Sequence, residues 1–243
     1  MEALVPIPGR GRVFAGGRRI RLADTDARGR LRLDAVARFL QDVAIDDVEE
    51  TGWGAPEHLW FLRSVRVDVL VPFLQDRQAG LLTWCSGLAT VAAGRRWSVT
   101  GERGGRIEAD SVWIHLGPDG RPARIDGLGV YAEAAGARRV SARPQLPVPP
   151  ADDLRLPWPL RATDVDLHGH INNAVYWQAL EHLLLTAGPD PRRPLRGRVD
   201  YREPVDLDDQ LELGTTATPN RLDVSFRTPT RVKAVASVEE LTL

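Results

Sequence analysis

The chain has almost no cysteine and no long apolar run, and each absence excludes a class of protein. Cys85 is the only cysteine among 243 residues, so no intramolecular disulfide and no cysteine-based zinc site can form. No stretch of about 20 apolar residues occurs, so we expect no membrane-spanning helix. The first residues lack the apolar core of a secretory signal, which favours the cytoplasm. With a net charge of −1, no global field attracts nucleic acid.

Several common catalytic motifs are also missing. No G-x-S-x-G nucleophile elbow occurs, which argues against a serine hydrolase of the α/β type. There is no P-loop and no dinucleotide fingerprint. Cys85 lies in the middle of a strand-like segment, where a buried small hydrophobic residue is the expected role.

One short segment occurs twice, 140 residues apart. Residues 23–31 and residues 163–171 share the frame D-x-D-x-x-G. Each copy follows a segment with the alternating pattern of a strand, over residues 19–22 and 158–161, and each precedes a helical pattern. A match in the same structural context is stronger than the three shared letters alone. The sequence therefore predicts two copies of one unit.

The pattern of elements around the two copies also repeats. Helices are predicted over residues 34–50 and 173–186, with Asp34 as the N-cap of the first and Asn172 or Asn173 as the N-cap of the second. Alternating segments rich in β-forming residues follow each helix. They cover residues 60–71, 81–91, 95–102 and 107–116 in the first half, and residues 196–201, 210–216, 222–227 and 232–241 in the second. One helix followed by an antiparallel meander, twice, is an α+β pattern.

A proline-rich segment separates the two units. Six prolines lie between residues 141 and 159, and proline cannot donate to a sheet ladder, so we read this segment as an extended linker. The predicted domains are residues 1–140 and 156–243, joined by a linker over residues 141–155.

The residues with the clearest chemical potential lie in the second copy. Residues 164–173 read D-V-D-L-H-G-H-I-N-N, where a strand gives way to a helix. Such a junction exposes backbone N–H groups and the positive end of the helix dipole, which stabilise a polarised carbonyl oxygen. Gly169 lets the backbone turn tightly and lets a substrate approach it. A carboxylate and an imidazole can then activate water and deliver a proton, which suits hydrolysis of an activated acyl group.

Structural roles stay open for some of these residues. Asp164 can brace the turn, and Asn172 or Asn173 can serve only as a helix cap. An Asp-x-His-x-His run is also a possible metal site. Alternating side chains of an extended segment point to opposite faces, however, so we predict no metal.

Residues 164–181 resemble the signature of the plant-type acyl-acyl carrier protein (acyl-ACP) thioesterases, which also occur in bacteria. The usual form of that signature is a D-x-D-x-N-x-H-V-N-N run that leads into a helix with an aromatic residue and a glutamate. The resemblance extends over nearly the whole chain. Other segments that fit the family are residues 40–44, 60–63, 82–84, 111–114 and 201–203, the last with one residue fewer than the family's Y-R-x-E stretch.

The resemblance implies two tandem hotdog domains, each a curved antiparallel sheet wrapped around one long helix. It also implies hydrolysis of the thioester between a fatty acyl chain and the phosphopantetheine arm of an acyl carrier protein, with no cofactor. The N-terminal domain is expected to hold the acyl tail and the C-terminal domain the chemistry. Asp166 falls on the family's catalytic aspartate, His170 on its catalytic histidine, and Glu203 on a glutamate proposed to help activate water.

The sequence departs from the family at two positions. His168 stands where the family has asparagine, so substrate orientation or pH optimum can differ. Pro204 stands where a cysteine was once proposed as nucleophile, which leaves water as the nucleophile. The first copy has Arg28 and Arg30 where the second has His168 and His170, so it keeps the scaffold without the acid–base pair.

The predicted site therefore consists of two sets of residues. Catalytic roles are predicted for Asp166, His168, His170 and Glu203. Substrate contacts are predicted for Gly169, Asn172, Asn173, Trp53 and Trp60.

Three other functions remain as alternatives. The nearest is a thioesterase that acts on acyl- or aroyl-coenzyme A. An enoyl-thioester hydratase of double-hotdog type spaces its aspartate and histidine differently, and a non-enzymatic acyl-thioester sensor would be expected to carry a DNA-binding segment that this chain lacks. Because a fused pair supplies the unit that single hotdog domains obtain by dimerising, a monomer and a homodimer are both compatible with the sequence.

Overall fold

The structure, a computed structural model, describes residues 4–52, 59–149 and 154–242. In the first half the elements are β1 (Val13–Arg19), α1 (Leu33–Glu50), β2 (Leu59–Val71), β3 (Gln78–Leu88), β4 (Ala92–Gly101), β5 (Arg106–Leu116) and α2 (Gly129–Ala135). In the second half they are β6 (Leu154–Pro157), α3 (Asn173–Ala187), β7 (Leu195–Tyr201), β8 (Glu212–Thr218), β9 (Arg221–Arg227) and β10 (Val232–Glu240).

All ten of these strands join one antiparallel sheet, in the order β1-β3-β4-β5-β2-β7-β10-β9-β8-β6. The order is symmetric about its centre. The first five strands, β1-β3-β4-β5-β2, correspond to the last five read from the other edge, β6-β8-β9-β10-β7. The two halves meet where β2 pairs with β7, from Ser64 opposite Asp200 to Val69 opposite Leu195. The two predicted copies are therefore halves of one continuous sheet.

The two long helices lie against each other on one face of the sheet. Alternating residues of β2, such as Val65 and Val67, share a buried core with Val43 of α1 and Leu180 of α3. Burial of one such side chain stabilises the fold by about 1.5 to 3 kcal/mol. One long helix packed on each half of an antiparallel sheet is the architecture expected of two tandem hotdog domains, and the predicted fold class is confirmed.

The predicted helices and strands that follow each repeated segment are confirmed, and their ends shift by three residues or fewer. The strands predicted over residues 19–22 and 158–161 are misplaced, since β1 and β6 end earlier and short 3₁₀ turns begin at Leu22 and Ala162. The sequence pattern did not predict α2, a seven-residue helix that packs on β3. The last two residues of the predicted linker begin β6, and the domain limits stay predictions. Within the described ranges, no helix is long and apolar enough to cross a membrane.

The prediction that Asp34 caps the first helix is wrong. Helix α1 begins at Leu33, and Asp34 lies inside its first turn, buried, where it accepts hydrogen bonds from Arg32 (2.9 Å) and Arg38 (2.7 Å). The free N–H of Leu33 instead donates to Glu181 of α3, at 3.0 Å. A side chain of α3 therefore caps the start of α1 in place of a residue close in the sequence.

Candidate active site

The loop that precedes α3 is closed by hydrogen bonds of its own backbone. Val165 and Ile171 pair as an antiparallel bridge. The N–H of Asp166 donates to the carbonyl oxygen of His170 (2.9 Å), and the N–H of Gly169 donates to that of Asp166 (3.0 Å). Gly169 has a φ of 81°, in the left-handed region that favours glycine. The loop therefore holds its side chains in a fixed arrangement at the start of α3.

The Asp166 carboxylate is oriented by two donors of the same loop. Its Oδ1 accepts the backbone N–H of His168 (2.9 Å), and its Oδ2 accepts the side-chain amide of Asn172 (3.4 Å). Each carboxylate oxygen has further lone pairs, so these bonds leave room for a water molecule or a substrate group. The side chain is thus a preorganised acceptor.

The two asparagines have different roles at the helix start. The Oδ1 of Asn172 accepts the N–H of Ala174 (2.9 Å), so Asn172 is the N-cap that the sequence predicted for one of the pair. Asn173 is the first residue of α3, and the N–H groups of a first turn have no partner within their own helix. In the described part of the chain, no acceptor takes the backbone N–H of Asn173.

Buried aromatic side chains anchor the first turn of α3. The indole N–H of Trp177 donates to the hydroxyl oxygen of Tyr201 (3.1 Å), and that hydroxyl donates to the carbonyl oxygen of Asn173 (3.1 Å). Burial raises the pKa of Tyr201, while the bond from Trp177 lowers it less, so the phenol stays neutral and remains a donor. The position of the helix end is therefore set from the core.

His170 pairs with a carboxylate that the sequence reasoning missed. Its Nδ1 lies 2.8 Å from Oδ1 of Asp206, and both side chains are about half exposed, 48% and 58%. A carboxylate opposite Nδ1 favours the tautomer with the proton on Nδ1 and leaves Nε2 free for a substrate. The pair resembles the acid–base partner and orienting group found in many hydrolytic sites.

A second alignment of the two halves would have found Asp206. The N–H of Leu31 donates to the carbonyl oxygen of Phe73, and the N–H of Ile171 donates in the same way to Val205. Phe73 and Val205 are therefore equivalent, at an offset of 132 rather than 140, because α1 is longer than α3 and β2 is longer than β7. In both halves a proline directly precedes this residue, and aligning the two prolines makes Leu74 the counterpart of Asp206.

Of the remaining predicted residues, His168 belongs to the loop, whereas Glu203 and Trp60 lie in other parts of the chain. The side chain of His168 is exposed beside Asp166. Glu203 follows β7 and accepts a hydrogen bond from Arg231 at 2.8 Å, and no described contact joins it to Asp166 or His170. Trp60 lies on β2 in the other half of the chain, with its ring 5.1 Å from that of His115. Trp53 falls outside the described residues.

The first copy of the loop has the same backbone bonds and a different set of side chains. Asp26 accepts the N–H groups of Arg28 (2.8 Å) and Arg30 (3.0 Å), and the Arg30 guanidinium at 3.0 Å. Arg30 also pairs with Glu181, whose second oxygen takes the N–H of Leu33. Burial alone would raise the pKa of Asp26, but the bonds and charge of the arginines outweigh it and hold the pKa low. This copy is closed by a buried ion-pair network.

No metal centre accompanies either loop within the residues that the structure describes, since no group of three or more His, Cys, Asp or Glu side chains is arranged to hold an ion. Two cavities among the described residues, of about 500 and 340 Å³, are lined by none of the predicted site residues. Arg66 and Asp68, which line the larger cavity, alternate along β2 with Val65 and Val67 of the helix-covered face. The larger cavity therefore lies on the opposite face of the sheet.

Comparison with protein families gives two matches that together cover most of the chain. Residues 11–126 match the acyl-ACP thioesterase N-terminal domain, and residues 149–238 match the acyl-ACP thioesterase C-terminal domain. An uncharacterised protein of Mycobacterium tuberculosis, Rv2001, is 30% identical over 242 residues, which cover 98% of this chain and 96% of that protein.

Two solved structures have the same fold at low identity. An acyl-ACP thioesterase from Bacteroides thetaiotaomicron superposes with a TM-score of 0.76 at 17% identity, over 93% of this chain and 97% of the other. The 12:0-ACP thioesterase from Umbellularia californica gives 0.75 at 15% identity, over 93% and 96%. These structures share the tandem arrangement of the two halves.

Proposed function

Because this chain belongs to the acyl-ACP thioesterase family and is a thioester hydrolase, we propose that it hydrolyses fatty acyl-ACP to free fatty acid and holo-carrier protein. The observation that carries the proposal is the loop before α3, where Asp166 and the His170–Asp206 pair border a helix end with an open N–H. We place the reaction in the cytoplasm, and a monomer or a homodimer can carry it out.

The thioester carbonyl binds at the start of α3 in this proposal. The N–H of Asn173 and the positive end of the helix dipole stabilise negative charge on the carbonyl oxygen as water attacks. Gly169 has no side chain to block the approach, and a Cβ at that position would meet only open space. The anchored first turn keeps the donor in place without reorganisation during the reaction.

Water is the nucleophile. Asp166, held by the His168 N–H and the Asn172 amide, takes a proton as the water oxygen bonds to the carbonyl carbon. Cys85 is excluded as nucleophile, because it is buried in β3 and burial raises the pKa of its thiol.

The proton that Asp166 took from water passes to Nε2 of His170, and Asp206 stabilises the imidazolium that forms. The C–S bond breaks, the thiolate takes this proton from Nε2, and the site returns to an ionised Asp166 and a neutral His170. Thiolate is a good leaving group, so its protonation by His170 contributes less to the rate than the activation of water by Asp166.

Glu203 and His168 have supporting roles in the proposal. Glu203 helps to orient the water in this proposal. Its ion pair with Arg231 is partly exposed, and such a pair contributes little to stability, so it can open and free the carboxylate. The exposed His168 replaces the family's asparagine and hydrogen-bonds the substrate. The acyl tail extends towards the N-terminal half, where Trp60 contacts it.

A substrate panel tests the proposal. Acyl carrier protein loaded with chains from short to long is compared with coenzyme A carrying the same chains, and both fatty acid and free thiol are measured. We expect release of both products in equal amounts and faster turnover of the carrier-protein substrates. Faster turnover of coenzyme A esters at every chain length would assign the enzyme to acyl-CoA instead, and absence of release from either carrier would refute the proposal.

A further inference from the structure

The symmetry of the two halves assigns a counterpart to Glu181. Glu181 lies eight residues after Asn173, the first residue of α3, and Gln41 lies eight residues after Leu33, the first residue of α1. The offset between Gln41 and Glu181 is 140, the same as between the two loops. Each of the two residues thus projects from one long helix, and α1 and α3 pack against each other.

The contacts of Glu181 show which part of the neighbouring loop a residue at this helix position reaches. Its carboxylate spans the first loop, where one oxygen pairs with Arg30 and the other takes the N–H of Leu33. The symmetry that relates the halves places His170 at the position of Arg30 and Asn173 at that of Leu33. The symmetry therefore assigns Gln41 of the facing helix to the N–H of Asn173, and no hydrogen bond between the described residues joins the two.

Glu181 has a negatively charged carboxylate, whereas Gln41 has a neutral carboxamide, and only the carboxamide can donate a hydrogen bond. A carboxylate at the helix end occupies the N–H group, and it would repel negative charge that develops on a thioester oxygen. A carboxamide is neutral and carries two N–H donors. Gln41 is partly buried, and its side chain makes no hydrogen bond to any described residue, so its donors are available.

We propose that Gln41 is a catalytic residue whose side-chain amide donates a hydrogen bond to the thioester carbonyl oxygen, as a second donor beside the N–H of Asn173. The proposal rests on the thioester hydrolysis proposed above and adds a residue from the N-terminal half to its site. It makes the site a joint product of both halves, with the acyl group bound between α1 and α3.

Two substitutions of Gln41 separate a catalytic role from a structural one. Gln41→Ala removes the donor, and we expect kcat to fall about tenfold with little change in KM, the effect of one hydrogen bond that strengthens in the transition state. Gln41→Glu keeps the shape, removes the donor and adds a charge beside the developing oxyanion, so we expect a larger fall of about 100-fold. Gln78→Glu, the same change at an exposed position of β3, is the control and should leave kcat unchanged.

The outcome is read on acyl carrier protein and on coenzyme A carrying the same acyl chain, together with the melting temperature of each variant. Because the proposed contact is to the thioester itself, the ranking wild type, Gln41→Ala, Gln41→Glu must appear with any carrier that the wild type accepts, at unchanged melting temperature. If the enzyme acts on coenzyme A esters rather than on acyl carrier protein, the same ranking of the three proteins should still appear on the coenzyme A esters. Equal kcat for Gln41→Glu and wild type, or a loss of activity that follows a loss of folded protein, would overturn the role of Gln41.

Discussion

Asp26 and Asp166 occupy the same place in two loops with matching backbone hydrogen bonds, yet their surroundings differ in charge and exposure. Asp26 meets Arg30, which is 3% exposed and paired with Glu181, whereas Asp166 meets an exposed loop with His170 and a free helix end. In the first loop the carboxylate holds Arg30, which pairs with Glu181 of α3, and in the second loop the carboxylate accepts hydrogen bonds from its own loop alone. A few side chains therefore decide whether the same frame takes part in joining the two long helices.

The largest expected effect comes from exchanging the two aspartates for asparagine, one at a time. Asp166→Asn removes the proton acceptor, so we expect kcat to fall about 10²- to 10⁴-fold with the fold retained. Asp26→Asn is the matched control, for which we expect nearly unchanged kcat and a loss of about 2 kcal/mol in the free energy of unfolding. Steady-state kinetics and urea unfolding measure both. A large fall in kcat for Asp26→Asn in folded protein would end the functional distinction between the loops.

Loss of Glu181 should expose the structural role of the first loop. Glu181→Gln leaves Arg30 without its buried partner, and breaking such a pair costs about 3 kcal/mol or more. Urea unfolding should show this loss, while kcat of the folded protein changes little. Glu49→Gln, an exposed glutamate of α1, is the control and should unfold like the wild type. Wild-type stability in Glu181→Gln would mean that the network does not close the first loop.

A smaller effect is expected at Asp206. Asp206→Asn keeps the shape but weakens the stabilisation of imidazolium at His170, so we expect kcat to fall about tenfold, the effect of one hydrogen bond to a charged group. Steady-state kinetics on the acyl carrier protein substrate measure this fall. Asp208→Asn, an exposed neighbour, should leave kcat unchanged. A kcat of Asp206→Asn equal to that of the wild type would remove Asp206 from the site.

The smallest effect concerns acid stability. The pKa of Asp26 is lower in the folded protein than in the unfolded chain, so its contribution is present above the unfolded pKa and is lost as pH falls through the folded value. The stability difference between wild type and Asp26→Asn should therefore be largest near neutral pH and shrink towards pH 3. Urea midpoints over that range measure it. A difference that grows in acid would contradict the ion-pair description of the first loop.

The sequence predicted those features that depend on local pattern. The repeated frame, the two long helices, the strands after them and the cap at Asn172 all follow from residues close together in the chain. Asp206 was missed because its partner His170 comes from a distant segment and the two halves change offset between the loops and the ends of β2 and β7. Asp34 was misassigned because Glu181, from the other half, takes the N–H that a local cap would have taken.

The role of Glu203 illustrates the same limit. Family resemblance predicts a catalytic glutamate at the end of β7, but the direction of its side chain depends on Arg231, which follows β9. No local pattern in residues 201–203 encodes that pairing. The activity of a Glu203→Ala variant therefore carries information that neither the motif nor the fold contains.

The pairing of β2 with β7 limits how far this enzyme can be simplified. If the second half were produced alone, β7 would become an edge strand with a row of unsatisfied backbone donors and acceptors, a ready template for self-association. An isolated catalytic half is thus expected to aggregate or to pair with a second copy through that edge. A minimal version of the enzyme must therefore keep both halves of the sheet.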